Sequence, residues 1–258
     1  MAASGPPVVM AKVTYLGDEG KLIGTVTPNG GKTTCYIEYG PTTAYGSQLP
    51  ATLIGVGFDP VTYADTIVAP MAGATMHYRI VAVNENGRGE SDDKELKGFV
   101  FPLATGTTWN YTYNWFQSAP GVWLNVRTRG SQTWRSGGAE TANATTMLLT
   151  RVDTTLTWNF LISPETTTVI TQIDTSFLVV TTSHSIIIHW YEFSHLAAND
   201  GGYLSIPRAY EAKSDTLTRE NQNIKAVFVN GKGLISWQYY ISAHTPWREV
   251  LTLESMYP

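Results

Sequence analysis

The segment Arg127-Thr-Arg-Gly-Ser-Gln-Thr-Trp-Arg135 sets three arginines beside one tryptophan. Guanidinium groups give bidentate hydrogen bonds to anions and glycans, and an indole face takes cation–π or stacking contacts. With Gly130 inside it, the stretch reads as a loop. Arg127, Arg129, Trp134 and Arg135 are therefore candidate ligand-binding residues, for a glycan or a protein surface. The same residues also fit a hairpin tip whose arginine stems lie along apolar surface. A second aromatic group precedes them, with Trp109, Tyr111, Tyr113 and Trp115 alternating with Asn110, Thr112 and Asn114. On a strand this alternation gives one fully aromatic face. Such a face is either a platform for stacking sugars or part of a core, where each ring buries ~150–250 Å². Core is the default.

Catalytic and metal-binding patterns are weaker. His184, His189 and His195 cluster with Glu192. Zinc needs donors converging within ~2.0–2.2 Å of one point. The odd spacing puts His184 and His189 on opposite strand faces, and His189 and His195 are ~20 Å apart along an extended chain at ~3.3 Å per residue. No metal site is expected. Gly31-Lys32-Thr33 lacks the earlier glycine of a phosphate loop, because position 26 is Val, and a strand follows where a helix is required. Gly55-Val-Gly57 and Gly87-Arg-Gly89 lack a third glycine and read as turns. No Gly-x-Ser-x-Gly pentad occurs. Asp153, Glu165, Asp174 and Asp200 fall at strand ends, where solvent-facing turns account for them. No catalytic residue and no cofactor are assigned. Cys35 is the single cysteine, which leaves neither an internal disulfide nor a cysteine metal site.

The chain around these residues has 258 positions, 15% of them charged and 12% aromatic, with a net charge of −4. An ordinary domain is about 25% charged. The acidic balance argues against a basic nucleic-acid binder, and the aromatic content argues against disorder. No run of ~18 apolar residues is present to cross a membrane as a helix. Thr-rich stretches such as Thr166-Thr-Thr168 keep strands soluble without charge, and they leave sheet edges with few charged gatekeepers. Self-association through such edges is the corresponding expectation. Met1-Ala-Ala-Ser-Gly-Pro-Pro7 has neither a basic nor an apolar leader region and is not a signal peptide.

Period-two patterns broken by Gly, Pro, Asn and Asp every ~8–12 residues predict an all-β fold. In the first hundred residues the expected strands are Lys21–Thr27, Thr34–Tyr39, Gln48–Val56, Val61–Val68, Thr75–Val83 and Lys94–Phe101. Pro102 and Gly106 punctuate a short join, which predicts one domain over 1–100 and a second over 101–258. All eight tryptophans lie in the second. After the aromatic strand, its strands are expected at Gly121–Thr128, Thr145–Asp153, Thr155–Ile162, Thr166–Asp174, Phe177–Thr182, Ser185–Phe193, Ile224–Val229, Gly233–Ser242 and Arg248–Glu254. Arg129-Gly130-Ser131 and Ser136-Gly137-Gly138 read as turns, Asn230-Gly231 as a hairpin, and Pro207–Asn223 as a helical or irregular insertion. The second domain is thus a large antiparallel sandwich or open barrel.

Residues 8–100 resemble a fibronectin type III domain, an immunoglobulin-like sandwich found in tandem on bacterial secreted proteins. The resemblance rests on Gly24-Thr-Val-Thr-Pro-Asn-Gly-Gly31, Tyr36-Ile-Glu-Tyr-Gly40, Thr43-Ala-Tyr-Gly-Ser47 and Gly73-Ala-Thr-Met-His-Tyr-Arg-Ile-Val-Ala-Val-Asn-Glu-Asn-Gly87. Met76 stands where the family has a corner tyrosine, and Pro70 or Met71 where it has a leucine. Such domains are spacers and binding modules. Phe101-Pro-Leu-Ala-Thr-Gly-Thr-Thr-Trp-Asn-Tyr111, Val227-Phe-Val-Asn-Gly-Lys-Gly-Leu-Ile235 and Arg248-Glu-Val-Leu-Thr-Leu-Glu254 are similar to parts of a β-domain in secreted bacterial lipoproteins of unassigned function. That resemblance implies an exported, extracellular or envelope-associated chain and no activity. The expected role is non-catalytic binding or adhesion. A structural subunit of an extracellular fibre or particle, pairing through Pro7–Tyr15, is the first alternative. An envelope hydrolase with a dispersed site is the second.

Overall fold

The computed structural model of the protein describes residues 4–16, 20–118, 124–141, 144–159, 163–189, 203–211, 216–220, 224–242 and 245–258. It is all-β, with antiparallel sheets, as the alternation predicts. Among the described residues no helix is long and apolar enough to cross a membrane. The chain divides into two compact units. The first comprises Met1–Phe99 together with Ser183–Ser185 and Pro207–Ser214, and the second comprises the remainder.

The first unit begins with β1 (Val8–Leu16), β2 (Lys21–Thr27), β3 (Thr33–Gly40), β4 (Ser47–Gln48) and β5 (Thr52–Gly55). It continues with β6 (Val61–Thr66), β7 (Thr75–Asn84), β8 (Gly87–Glu90) and β9 (Lys94–Gly98). One sheet has the order β1-β2-β6. In the other, β7 lies between β3 and β9, β8 pairs with β7, and both β4 and β5 pair with β3. Period-two alternation builds the core between them. Leu22 and Val26 face inward from β2, Cys35 and Ile37 from β3, and Tyr78, Ile80 and Ala82 from β7. Asn29 and Gly30 turn β2 into β3 with φ of 52° and 80°, the left-handed region that Asn and Gly tolerate best. The expected strand Gln48–Val56 is interrupted, so that only Ser47–Gln48 and Thr52–Gly55 pair. The segment Pro7–Tyr15, expected to be open to a neighbouring chain, supplies β1, which pairs with β2 on one side and is an edge strand of its sheet. Val8 pairs with Thr27 and Leu16 with Lys21, and Asn84 Nδ2 donates to Gly5 O at 3.0 Å.

The second unit is built on longer strands. These are β10 (Thr108–Ser118), β11 (Leu124–Thr141), β12 (Ala144–Asn159), β13 (Ser163–Thr181), β14 (Ser185–His189) and β15 (Tyr203–Pro207). After β16 (Ala209–Glu211), which belongs to the first unit, there follow β17 (Thr216–Glu220), β18 (Ile224–Val229), β19 (Gly233–Ser242) and β20 (Thr245–Tyr257). Ten of them form a curled sheet in the order β15-β14-β13-β12-β11-β10-β20-β19-β18-β17. The described residues of Pro207–Asn223 hold strands and no helix: β16 pairs with β9 within the first unit, and β17 pairs with β18. The expected turns at Gly130 and Gly138 do not end a strand either. Gly130 pairs regularly with Tyr113 and Asp153, and Gly138 (φ 104°) sits in a register shift of β11. A glycine inside a strand often marks such a bulge. The Asn230-Gly231 hairpin forms between β18 and β19, with Gly231 at φ 76°.

Of the aromatic face, Trp109 and Tyr111 enter the core, while the side chains of Tyr113 and Trp115 lie outside the described residues. Trp109 and Tyr111 are buried, the rings of Tyr111 and Trp134 lie 4.6 Å apart, and those of Trp134 and Phe177 lie 5.1 Å apart. Burial of a phenol or indole requires a partner for its polar tip. Tyr111 OH donates to Leu234 O at 3.0 Å, Trp109 Nε1 donates to Lys232 O at 2.8 Å, and Trp134 Nε1 donates to Gln132 Oε1 at 3.2 Å. Trp134 pairs with Leu149 and its neighbour Arg135 with Leu148. The first pair is buried, whereas Leu148 is 49% exposed. Trp134→Ala is therefore expected to cost ~3–5 kcal/mol in chemical denaturation, and Leu148→Ala no more than ~0.5 kcal/mol.

Candidate binding groove

The expected ligand loop is a strand interior. Arg129, Trp134 and Arg135 all lie within β11, and strand parity divides them. Trp134 is 1% exposed on the inner face, whereas Arg129 and Arg135 are exposed on the other. The indole and these guanidiniums therefore do not converge on one ligand. Arg127 pairs with Phe116 and Leu156. The outer face around Arg129 and Arg135 is a polar ladder. Thr133 Oγ1 donates to Asn110 Oδ1 at 2.9 Å, and Thr112 Oγ1 donates to Glu254 Oε1 at 2.9 Å.

A concave polar site occurs in the first unit. An open groove of about 930 Å³ has Glu38, Arg79, Arg88 and Glu90 along its floor and residues 43–48 as a wall. Strand register assembles the floor. Glu38 on β3 lies opposite Arg79 on β7, while Val83 and Val81 of β7 lie opposite Arg88 and Glu90 on β8. Side chains on one face of neighbouring strands reach one another directly or diagonally.

The four charges close into a ring. Arg79 Nε donates to Glu38 Oε2 at 2.8 Å, and Arg79 Nη1 meets Glu90 Oε1 at 2.9 Å. Arg88 Nε donates to Glu90 Oε2 at 3.2 Å, and Arg88 Nη2 donates to Glu38 Oε1 and Oε2 at 3.1 and 3.0 Å. Arg88 Nη1 also donates to Tyr36 OH at 3.3 Å. Burial alone would raise the Glu38 carboxyl. The hydrogen bonds and charges of Arg79 and Arg88 outweigh it and hold Glu38 below the ordinary carboxylate range. Burial likewise works against the Arg88 charge, and the Glu38 hydrogen bond with nearby negative charge raises Arg88 above its usual value. Both groups are fixed in their ionised forms. Glu38 accepts hydrogen bonds and is poorly suited to donate a proton near neutral pH.

Tyr45 fastens the wall to this floor. The Arg79 guanidinium lies 4.6 Å from its ring centroid, and Tyr45 OH donates to Asp93 Oδ1 at 3.0 Å. Asp93 Oδ2 also meets His77 Nδ1 at 2.8 Å. Burial, followed by the Asp93 contact, raises the Tyr45 phenol to about 12. Tyr45 adopts φ 58°, which for a non-glycine residue costs roughly 1–2 kcal/mol. The chain can turn here because Gly40 lacks a side chain. A Cβ at Gly40 would run into the Tyr45 carbonyl. Such strain collects at functional sites.

The sequence singled out Gly87-Arg-Gly89 only as an incomplete glycine motif, and the arginine between those glycines is the residue that closes the ring. The available signal was charge at the outward positions of otherwise apolar strands, as in Tyr78-Arg79-Ile80. Cys35 is fully buried, and burial pushes its thiol up to about 12. His184 Nδ1 contacts Ser183 Oγ at 2.8 Å and His189 ends β14, while Glu192, His195 and Asp200 lie outside the described residues. Among the described residues no group of three or more His, Cys, Asp or Glu side chains could hold a metal ion. No protein-family model matches the chain, and no curated protein does.

A carboxyl held below its unfolded value stabilises the fold above the ordinary carboxylate range, and that contribution is lost as pH falls through the folded value. Glu38→Gln is therefore expected to cost about 1–2 kcal/mol at pH 7. Paired denaturant titrations should show the difference shrinking toward pH 3, and a pH-independent difference contradicts the ring. Raising the thiol from 9.0 to about 12 lowers the thiolate fraction about a thousandfold. Cys35 should stay unlabelled by a thiol reagent at pH 8 until the chain is unfolded.

Proposed function

We propose that this chain is a non-catalytic binding or adhesion protein of the extracellular or cell-envelope compartment. The observation that carries the reading is the open groove floored by the Glu38–Arg79–Glu90–Arg88 ring. The ring spends its charges on one another, so it offers fixed donors and acceptors and no group poised to exchange a proton. Fixed, preorganised polar groups are what recognition requires. A fibronectin-type first domain, for which the two facing sheets give support, presents such a face on a rigid scaffold. The resemblance of the second domain to envelope lipoproteins supports the location.

The experiment is retention of the purified chain on immobilised glycans and surface proteins, compared with Arg79→Ala/Arg88→Ala. At least a tenfold loss is expected, with the variant still melting cooperatively. Equal retention by a folded variant overturns the groove as the binding site.

A further inference from the structure

We infer that the groove takes a neutral, hydroxyl-rich ligand, a segment of saccharide chain. This inference rests on the binding reading above and specifies its ligand. The ring holds two guanidiniums and two carboxylates, and each carboxylate contacts both guanidiniums. Its net charge is zero. A phosphate, sulfate or carboxylate ligand has to take an arginine from a glutamate, and a cationic ligand has to take a glutamate from an arginine. Either exchange leaves a partly enclosed charge without its partner. The cost is greatest at Glu38 and Arg79, whose side chains are only 17% and 23% exposed.

A hydroxyl makes no such demand. Carboxylate oxygens have further lone pairs, and a guanidinium has five N–H donors, of which Arg79 places Nε and Nη1 in the ring. The ring sets donor beside acceptor at 2.8–3.2 Å, and neighbouring hydroxyls of a sugar can address both at once. Charge-assisted hydrogen bonds of this kind are stronger than neutral ones. Thr43, Ser47 and Gln48 add neutral polar groups along the wall. Tyr45, buried with the Arg79 guanidinium 4.6 Å from its ring centroid, backs that arginine. The groove is open rather than enclosed, which suits a length of polymer more than a small solute, and its volume is within the ~300–1,000 Å³ of ligand sites.

The test is retention of the full chain on an array of neutral, anionic and cationic oligosaccharides at about 0.05 and about 0.5 M salt. The proposal expects retention in the neutral arm, changing less than about twofold with salt. Glu90→Gln takes the ring from zero to +1 while preserving its shape. It should lower neutral retention about tenfold or more and raise retention of the anionic arm. Retention confined to charged glycans, or falling steeply with salt, overturns the ligand class and leaves the binding role standing. Retention on surface proteins with no glycan bound also overturns the saccharide. No retention on any glycan or protein overturns the binding reading itself. If Glu90→Gln lowers melting, Arg88→Lys serves as the second variant. It keeps the charge and loses the planar fork, and unchanged neutral retention there also overturns the proposal.

Discussion

A β-strand gives successive side chains to opposite faces, and this parity decides which residues of the chain can act together. In the first unit it sends Ile37 and Ile80 into the core and brings Glu38 and Arg79, one residue along each strand, onto the outer face in direct register. In the second unit the same rule sends Trp134 inward and leaves Arg129 and Arg135 outside. The groove exists because parity and register agree on β3, β7 and β8. On β11 the same parity separates Trp134 from Arg129 and Arg135.

The ring also solves a packing problem. Val81 lies on the outward side of β7, yet it is fully buried. It is flanked along its strand by Arg79 and Val83 and paired across to Tyr36 and Glu90. Arginine stems bury apolar surface while their heads remain hydrated. Isolated surface ion pairs contribute little, and a network with good geometry contributes more. Here the network holds four flexible side chains in one arrangement, and Tyr45 at its strained backbone position restrains Arg79 from above. The result is a polar surface whose side chains are ordered by the fold itself.

Local features of the fold were legible in the sequence. Strands such as Lys21–Thr27 follow from alternation, and the Asn230-Gly231 and Asn29-Gly30 turns follow from the backbone preferences of Asn and Gly. In the sequence the long strands of the second unit look like shorter pieces. The apolar residues change parity between Leu149 and Leu156, and Thr154-Thr155 lies between them. Continuous pairing on both sides of β12 overrides that local signal. The tryptophan-rich second half pointed to function there, but Trp109, Trp134 and Trp237 are core. The ring was not legible because it depends on register. Glu38 and Arg79 are 41 residues apart, and Glu38 and Arg88 are 50 apart.

The central claim is that these four charges form one binding surface and act as a unit. A double-mutant cycle on surface retention, using Glu38→Gln and Arg88→Ala singly and together, tests it most directly. The account predicts that each single change loses nearly as much retention as the pair, because either one opens the ring. Losses that simply add, or single variants that bind as well as the parent, contradict it.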